Sequence, residues 1–90
     1  MDCVSHEEIA GQLRGLLIRL GERLSAEDAT LIAEFIDVGE LGLALEQMAD
    51  QLSEYEQPLS ASERADMLSL VGRMHMDDRV SRALTLCPER

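Results

Sequence analysis

The chain of 90 residues contains no lysine and no tryptophan, and its aromatic side chains are limited to Phe35 and Tyr55. Valine and isoleucine are few, whereas leucine and alanine supply most of the apolar side chains. Because aromatic and β-branched residues favour strands while leucine and alanine favour helices, this composition argues against a sheet. A chain of this length also buries too little surface for more than one domain. We therefore expect a single helical domain over residues 1–90.

Long apolar runs and a cysteine framework are also missing. No run approaches the roughly 18 apolar residues of a membrane-spanning helix. The acidic start "MDCVSHEE" lacks the positive charge of a signal peptide. Cys3 and Cys87 form no C-x-x-C motif, and near-terminal residues are rarely tied into a core. We expect a cytoplasmic protein whose two cysteines are free thiols rather than a disulfide.

The negative charge is concentrated in the middle of the chain. Eighteen acidic residues against eight basic ones give a net charge of −10. No basic residue lies between Arg23 and Arg64, and that stretch contains ten of the acids. Such a surface repels nucleic acid and anionic membranes but attracts a basic protein. We therefore expect a basic protein partner, and neither nucleic acid nor membrane.

Apolar residues recur at helical spacing along the whole chain, which predicts a compact all-α bundle of about five short helices with no sheet. The spacing predicts helices over 6–23, from Ser25 to a stop at Gly39, over 40–55 and 61–74, and a short one ending before Pro88. Ser5 with Glu8 and Ser60 with Glu63 have the spacing of a capping box, so each pair should open a helix.

The same spacing selects the side chains of the core. The residues predicted to meet there are Leu16, Leu20, Phe35, Leu45, Met48, Leu68 and Val71. In the second helix, Leu31, Ile32, Phe35, Ile36 and Val38 are assigned to the buried side. In the third helix, Leu41, Leu45, Met48, Leu52 and Tyr55 follow one face. Gly11, Gly15 and Ile18 form a small-residue groove beside the leucines of the first helix.

No arrangement typical of catalysis or metal binding is present in the sequence. "MHMDD" (74–78) combines thioether, imidazole and carboxylate groups, but adjacent positions do not share a helix face, and their metal preferences differ. A solvated helix end is the better interpretation of this cluster. Neither cysteine has a nearby histidine partner, and the glycines form no phosphate-binding pattern. We expect a protein without catalytic residues, metal or cofactor.

The acidic stretch predicts a surface for a partner. Glu46, Asp50 and Glu54 are spaced by four and form a ridge, along which each like-charge pair destabilises the helix by about 0.2–0.5 kcal/mol. Glu54 and Glu56 add an unfavourable interaction with the negative C-terminal end of the helix. Either the ridge is a solvated face that aids solubility, or a basic partner offsets the repulsion. The candidate contact residues are Glu34, Asp37, Glu40, Glu46, Asp50, Glu54, Tyr55 and Glu56.

Two of these candidates also have local explanations. Asp37 is suited to cap the break at Gly39. Glu40 is placed where a carboxylate favours the N-terminus of the third helix. Their charge therefore counts less toward a binding surface than the charge of the ridge.

"FIDVGELGLALEQMADQL" (35–52), followed by a linker with Pro58 and a further helix, resembles the small immunity proteins of the MafI type. The shared pattern consists of an apolar pair, Asp37, Gly39–Glu40, Gly42 and Ala44–Leu45–Glu46, and it covers about a fifth of the chain. Proteins of that type protect bacteria from polymorphic or contact-dependent inhibition toxins. The resemblance implies a cytoplasmic antitoxin that binds one toxin C-terminal domain and has no catalysis of its own.

Two functional hypotheses follow. In the first, an immunity protein neutralises a toxin domain by occlusion through its acidic second and third helices. Many such toxins are nucleases with a basic groove, and inhibition in that groove or at another surface is equally compatible with the resemblance. In the second, a small helical adaptor dimerises or holds a partner helix in its apolar grooves. The charge distribution favours the first, because helix-in-groove recognition depends on apolar anchors.

Overall fold

The helices of this protein are connected by short turns. A computed structural model describes residues 3–90, with side chains from His6 onward, and we number its helices in chain order. They are α1 (Cys3–Leu20), α2 (Ala26–Asp37), α3 (Leu41–Glu54), α4 (Ala61–Arg73) and α5 (Arg79–Leu84), with a 3₁₀ turn at Gly21–Arg23. The described residues form no strand, and an isolated bridge joins Leu59 to Glu89. The predicted all-α fold is confirmed.

Serine caps open two of the helices as predicted. The Ser25 hydroxyl accepts a hydrogen bond from the backbone N–H of Asp28. At Ser60 the capping box is complete, because its hydroxyl accepts from the Glu63 N–H while Glu63 accepts from the Ser60 N–H. The box predicted at Ser5 is wrong, since α1 already includes Cys3 and Ser5 lies inside the helix.

Three helices end in the same way. In α2, α3 and α4 a backbone N–H beyond the last turn bonds to the carbonyl five residues earlier, as in a Schellman motif. These bonds run from Glu40 to Phe35, from Gln57 to Leu52 and from Met76 to Val71, at 2.8, 2.9 and 3.0 Å. The residue before each donor is left-handed: Gly39 (φ 82°), Glu56 (φ 49°) and His75 (φ 55°). The predicted stop at Gly39 is confirmed.

The core is built around α3, which packs against α1, α2 and α5. Its buried face consists of Leu41, Ala44, Leu45, Met48, Ala49 and Leu52. The leucines of α1 cover this face from one side, and Leu59, Val80 and Leu84 complete the cluster. The helix face assigned to the core from the spacing of Leu45 and Met48 is therefore confirmed.

Some predicted core residues lie elsewhere. Leu68 is 40% exposed and Val38 is 71% exposed, and Leu31 is also exposed. Leu31 directly precedes the buried residue Ile32, and Leu68 directly follows the buried residue Met67. One position corresponds to about 100° around a helix, so both leucine side chains lie outside the buried sector. Val38 lies beyond the last turn of α2. Tyr55 is likewise exposed, because α3 ends at Glu54 before the apolar face reaches it.

Cys87 also differs from the expectation for a near-terminal residue. Its thiol is free and buried in the core, and burial raises its pKa. Two contacts hold this end of the chain: the Arg64 guanidinium donates to the carbonyls of Leu84 and Cys87, and the Leu59 N–H donates to the Pro88 carbonyl. The side chain of Cys3 lies outside the described residues. Within the described part, no helix is long and apolar enough to cross a bilayer.

Ion pairs link α1 and the turn after it to α4. Arg19 binds Asp66 at 2.6 Å, and Arg73 binds Glu8 at 2.9 Å. The third pair joins Arg23 to Glu63, which is the one buried charged residue in the described part of the chain. Among the helices, α4 packs mainly against α5. These ion pairs therefore fix the position of α4 relative to α1.

The Arg23–Glu63 pair uses the complete hydrogen-bonding capacity of the guanidinium. The two Nη atoms donate to the two carboxylate oxygens of Glu63 at 2.7 and 2.8 Å. The same atoms donate to the carbonyls of Pro58 and Arg19, and Nε donates to the carbonyl of Leu20. The hydrogen bond from Arg23 outweighs burial, so the pKa of Glu63 falls to about 2.

This low pKa predicts an acid-sensitive stability. Because the folded state holds the pKa of Glu63 below its usual value, the pair stabilises fully above about pH 4.5 and is lost as the pH falls toward 2. In urea unfolding at pH 7, Glu63→Gln should cost about 3 kcal/mol. The difference from wild type should shrink between pH 4.5 and 2. Glu22→Gln, an exposed control, should show no such trend, and a constant difference for Glu63→Gln would contradict the account.

Candidate protein-binding surface

The eight residues predicted to contact a partner lie on α2, on α3 and on the turn after each helix. Glu34, Asp37 and Glu40 lie where α2 ends and α3 begins, whereas Tyr55 and Glu56 lie beyond the opposite end of α3. At 1.5 Å per residue, α3 separates the two groups by about 20 Å. The structure therefore divides the predicted surface into two ends, with the ridge between them.

The ridge is partly neutralised from within the molecule. Arg79 at the start of α5 binds Asp50 at 2.6 Å and approaches Glu46 at 3.5 Å. The hydrogen bond that Arg79 donates to Asp50 and the charges of both acids raise the pKa of Arg79. The sequence alone offers solvent or an external partner as the compensation for the repulsion along the ridge, and the structure adds an internal cation, Arg79. Arg79 lies 29 residues from Asp50, so local spacing gives no sign of the pair.

Asp37 is also paired within the chain. Its carboxylate accepts a hydrogen bond from Arg14 of α1 at 2.9 Å. Both side chains are at least half exposed, and exposed pairs of this kind contribute little to stability. Asp37 thus interacts with α1 rather than capping the break at Gly39.

The remaining candidates have no such partner. Within the described part of the chain, Glu34, Glu40, Glu54 and Glu56 form no ion pair. The arginines that are paired with carboxylates are Arg14, Arg19, Arg23, Arg64, Arg73, Arg79 and Arg82. With these cations engaged, the acidic excess is carried by carboxylates that face solvent. The four unpaired candidates, which we call the free acids, are available to an external cation.

Exposed apolar side chains accompany the free acids at both ends. Tyr55, 64% exposed, lies between Glu54 and Glu56. Val38 is exposed between Glu34 and Glu40 at the other end. Protein interfaces are enriched in tyrosine, whose ring adds contact area while its hydroxyl stays hydrated. Each end therefore combines an apolar contact with unpaired carboxylates.

A cleft of about 480 Å³, which the sequence did not predict, adjoins the first of these ends. It lies where the start of α1, the α2–α3 turn and the end of α4 meet, and Glu40 and His75 are part of its lining. The "MHMDD" cluster contributes its two methionines to this cleft, while the Asp77 carboxylate accepts a hydrogen bond from the Arg79 N–H. Among residues 6–90, no group of three histidine, cysteine or acidic residues is placed to bind a metal ion.

Comparisons with protein-family models, with curated proteins and with solved structures gave no match to this chain. Its function is therefore argued from the geometry of this surface and from the residues that carry the resemblance described above.

The left-handed conformation of Glu56 gives a testable prediction about this surface. A non-glycine residue in this conformation costs about 1–2 kcal/mol, part of which the flexibility of glycine would cancel. We expect Glu56→Gly to raise the free energy of unfolding by up to about 1 kcal/mol, measured in urea. Gly39→Ala, at the equivalent position of α2, should lower it by about 1–2 kcal/mol.

A further variant separates backbone strain from charge at this position. Glu56→Gln removes the carboxylate near the negative helix end but keeps the strained backbone, so it should recover less stability than Glu56→Gly. Equal gains from the two variants would show that charge, and not conformation, limits stability there.

Proposed function

We propose that this protein is an immunity protein that acts in the cytoplasm, has no catalysis of its own and neutralises one bacterial toxin domain by stoichiometric binding. The observation that carries the proposal is the placement of the free acids beside exposed apolar side chains at both ends of α3. The segment 35–52, which carries the resemblance to immunity proteins of the MafI type, contributes Glu40 and Val38 to this surface. The partner that fits it is the C-terminal domain of a toxin with a basic face.

The internal ion pairs determine how readily each candidate residue can bind a cation of the partner. A partner cation that binds Glu46 or Asp50 has to compete with Arg79, and one that binds Asp37 has to compete with Arg14. The free acids form no ion pair within residues 6–90 that a partner cation would have to displace. We therefore assign the main electrostatic contacts to Glu34, Glu40, Glu54 and Glu56, and a secondary role to the three paired acids.

The size of the surface fits a single domain–domain interface. Its two ends lie about 20 Å apart, and a standard interface buries about 800 Å² on each partner. Long-range attraction between opposite charges accelerates association by roughly 10- to 1000-fold. If the toxin is a nuclease, carboxylates at this surface occupy positions that substrate phosphates take in its groove. Alternatively, the protein inhibits the toxin by binding to a surface beside this groove.

A second candidate function, an adaptor that holds a partner helix, is favoured by a different feature. A groove of about 440 Å³ between α1 and α4 is lined in part by Gly15, Leu16 and Ser69. A Cβ atom added at Gly11 or Gly15 would meet nothing within 4 Å, so no element of the described structure fills this side of α1. Ile18 on the same helix is 79% exposed. The Arg19–Asp66 pair at the groove makes it less apolar than a typical helix-binding site.

The immunity proposal predicts that a large secreted protein with a toxin-like C-terminal domain is encoded beside this gene, and that domain is the partner for the test. Cells that express this domain should survive when the protein is co-expressed, and light scattering should detect a 1:1 complex of the purified pair. Tyr55→Ala should weaken binding by about tenfold or more, as expected for an aromatic interface anchor. Leu86→Ala, which truncates a side chain of similar exposure far along the sequence, is the matched control and should bind normally.

Two results would contradict the proposal. The first is equal killing with and without the protein although both chains are made. The second is binding that is insensitive to Tyr55→Ala but lost in Gly15→Leu, because that pattern would place the partner in the α1–α4 groove and favour the adaptor.

A further inference from the structure

We propose that the cleft at the α2–α3 turn receives an arginine side chain of the protein partner. This inference rests on the proposed function and names one specific contact within it. The cleft can be tested without the toxin, so its failure and the failure of the immunity proposal are distinguishable.

Apolar side chains form part of the cleft wall. Ile9 of α1 and Leu41 of α3 are both buried core residues that reach it, and Met74 and Met76 are half-buried at the end of α4. Methionine side chains are flexible and adapt to the shape of a partner group. An aliphatic chain that enters this cleft therefore meets apolar surface on several sides.

The charged group left uncompensated at the cleft is a carboxylate. Arg73 also lines it, but its guanidinium is held by Glu8 of α1 at 2.9 Å. Glu40 is exposed and forms no ion pair within residues 6–90. Its side chain also makes no capping hydrogen bond to α3, so local structure does not occupy it. The cleft is therefore complementary to a group with an apolar stem and a positive end.

Two features favour arginine over lysine. His6 and His75 both line the cleft and are exposed, and the His6 ring lies 3.7 Å from the position that a Cβ on Gly39 would take. A guanidinium stacks on such rings and donates two parallel hydrogen bonds to one carboxylate, whereas an ammonium is a more strongly hydrated point charge. The three methylenes of arginine, like the four of lysine, can contact the apolar side chains of the cleft.

Gly42 keeps the cleft open. It lies in the first turn of α3, where alanine would form helix better, and its backbone is not left-handed. A Cβ added there would meet nothing within 4 Å, so close packing does not require glycine either. A larger side chain at position 42 would instead occupy space at the cleft.

The test is a titration of the intact protein with N-acetyl-arginine methylamide, followed by ¹⁵N–¹H correlation spectra. The citrulline analogue has the same length but lacks the charge, and the lysine analogue has a similar length and the charge but lacks the planar group. We expect shifts confined to the amides of residues 39–42 and 74–76. Arginine should bind about twofold to fivefold more tightly than citrulline, the range expected for an exposed charge pair.

Matched variants test the assignment. Gly42→Leu should abolish the localised shifts, whereas Gly11→Leu, the same change at an open helical glycine on α1, should leave them intact. Glu40→Gln should reduce arginine binding to the level of citrulline, and Glu22→Gln should have no effect. Glu40 is exposed, so this variant is informative even if Gly42→Leu folds poorly.

Three results would overturn the inference: equal binding of arginine and citrulline, equal or tighter binding of lysine, or shifts centred on residues 54–56. A cleft that fails this test while the protein still protects cells from the toxin would refute the arginine site alone. Conversely, if arginine binds in the cleft as expected but the protein does not protect cells from the toxin, the immunity proposal alone is refuted.

Discussion

The hydrogen bonds between Arg23 and Glu63 are the interaction on which the arrangement of the helices depends. Five donor contacts of one guanidinium join the end of α1, the linker at Pro58 and the first turn of α4. A buried charge without its partner is costly, so this junction tolerates little displacement. Because it fixes where α4 begins, it also determines where α4 ends, beside the α2–α3 turn, and so forms the wall of the cleft.

The pairing of arginines with carboxylates also determines how the acidic charge is distributed. Arginines from the two ends of the chain fold back onto carboxylates: Arg79 onto the ridge of α3, Arg14 onto the end of α2 and Arg23 onto Glu63. Exposed pairs add little stability, but they remove those carboxylates from competition for an external cation. Of the acids predicted to contact a partner, those without an ion pair in residues 6–90 therefore lie at the two ends of α3 rather than along it, and each end also presents an exposed apolar side chain.

Most local signals in the sequence predicted local structure, although the capping box at Ser5 and the Asp37 cap were wrong. The box of Ser60 and Glu63 and the stop at Gly39 depend on neighbours within one helical turn, so their spacing alone identifies them. Sequence reasoning failed where three-dimensional position decides. The exposure of Leu68 depends on which sector of α4 faces the core, and the pairing of Arg79 depends on how α5 packs on α3. The cleft likewise combines three segments that are distant in sequence.

The central claim is that the free acids, and not the paired ones, recruit the partner. Stopped-flow association with the toxin domain that the proposed function predicts, at low and physiological salt, tests it most directly. We expect replacement of Glu34, Glu40, Glu54 and Glu56 by glutamine to slow association by about tenfold or more and to flatten its salt dependence. Neutralising Asp37, Glu46 and Asp50 should slow it much less. Equal slowing by the two sets, or association that does not depend on salt, would contradict the claim.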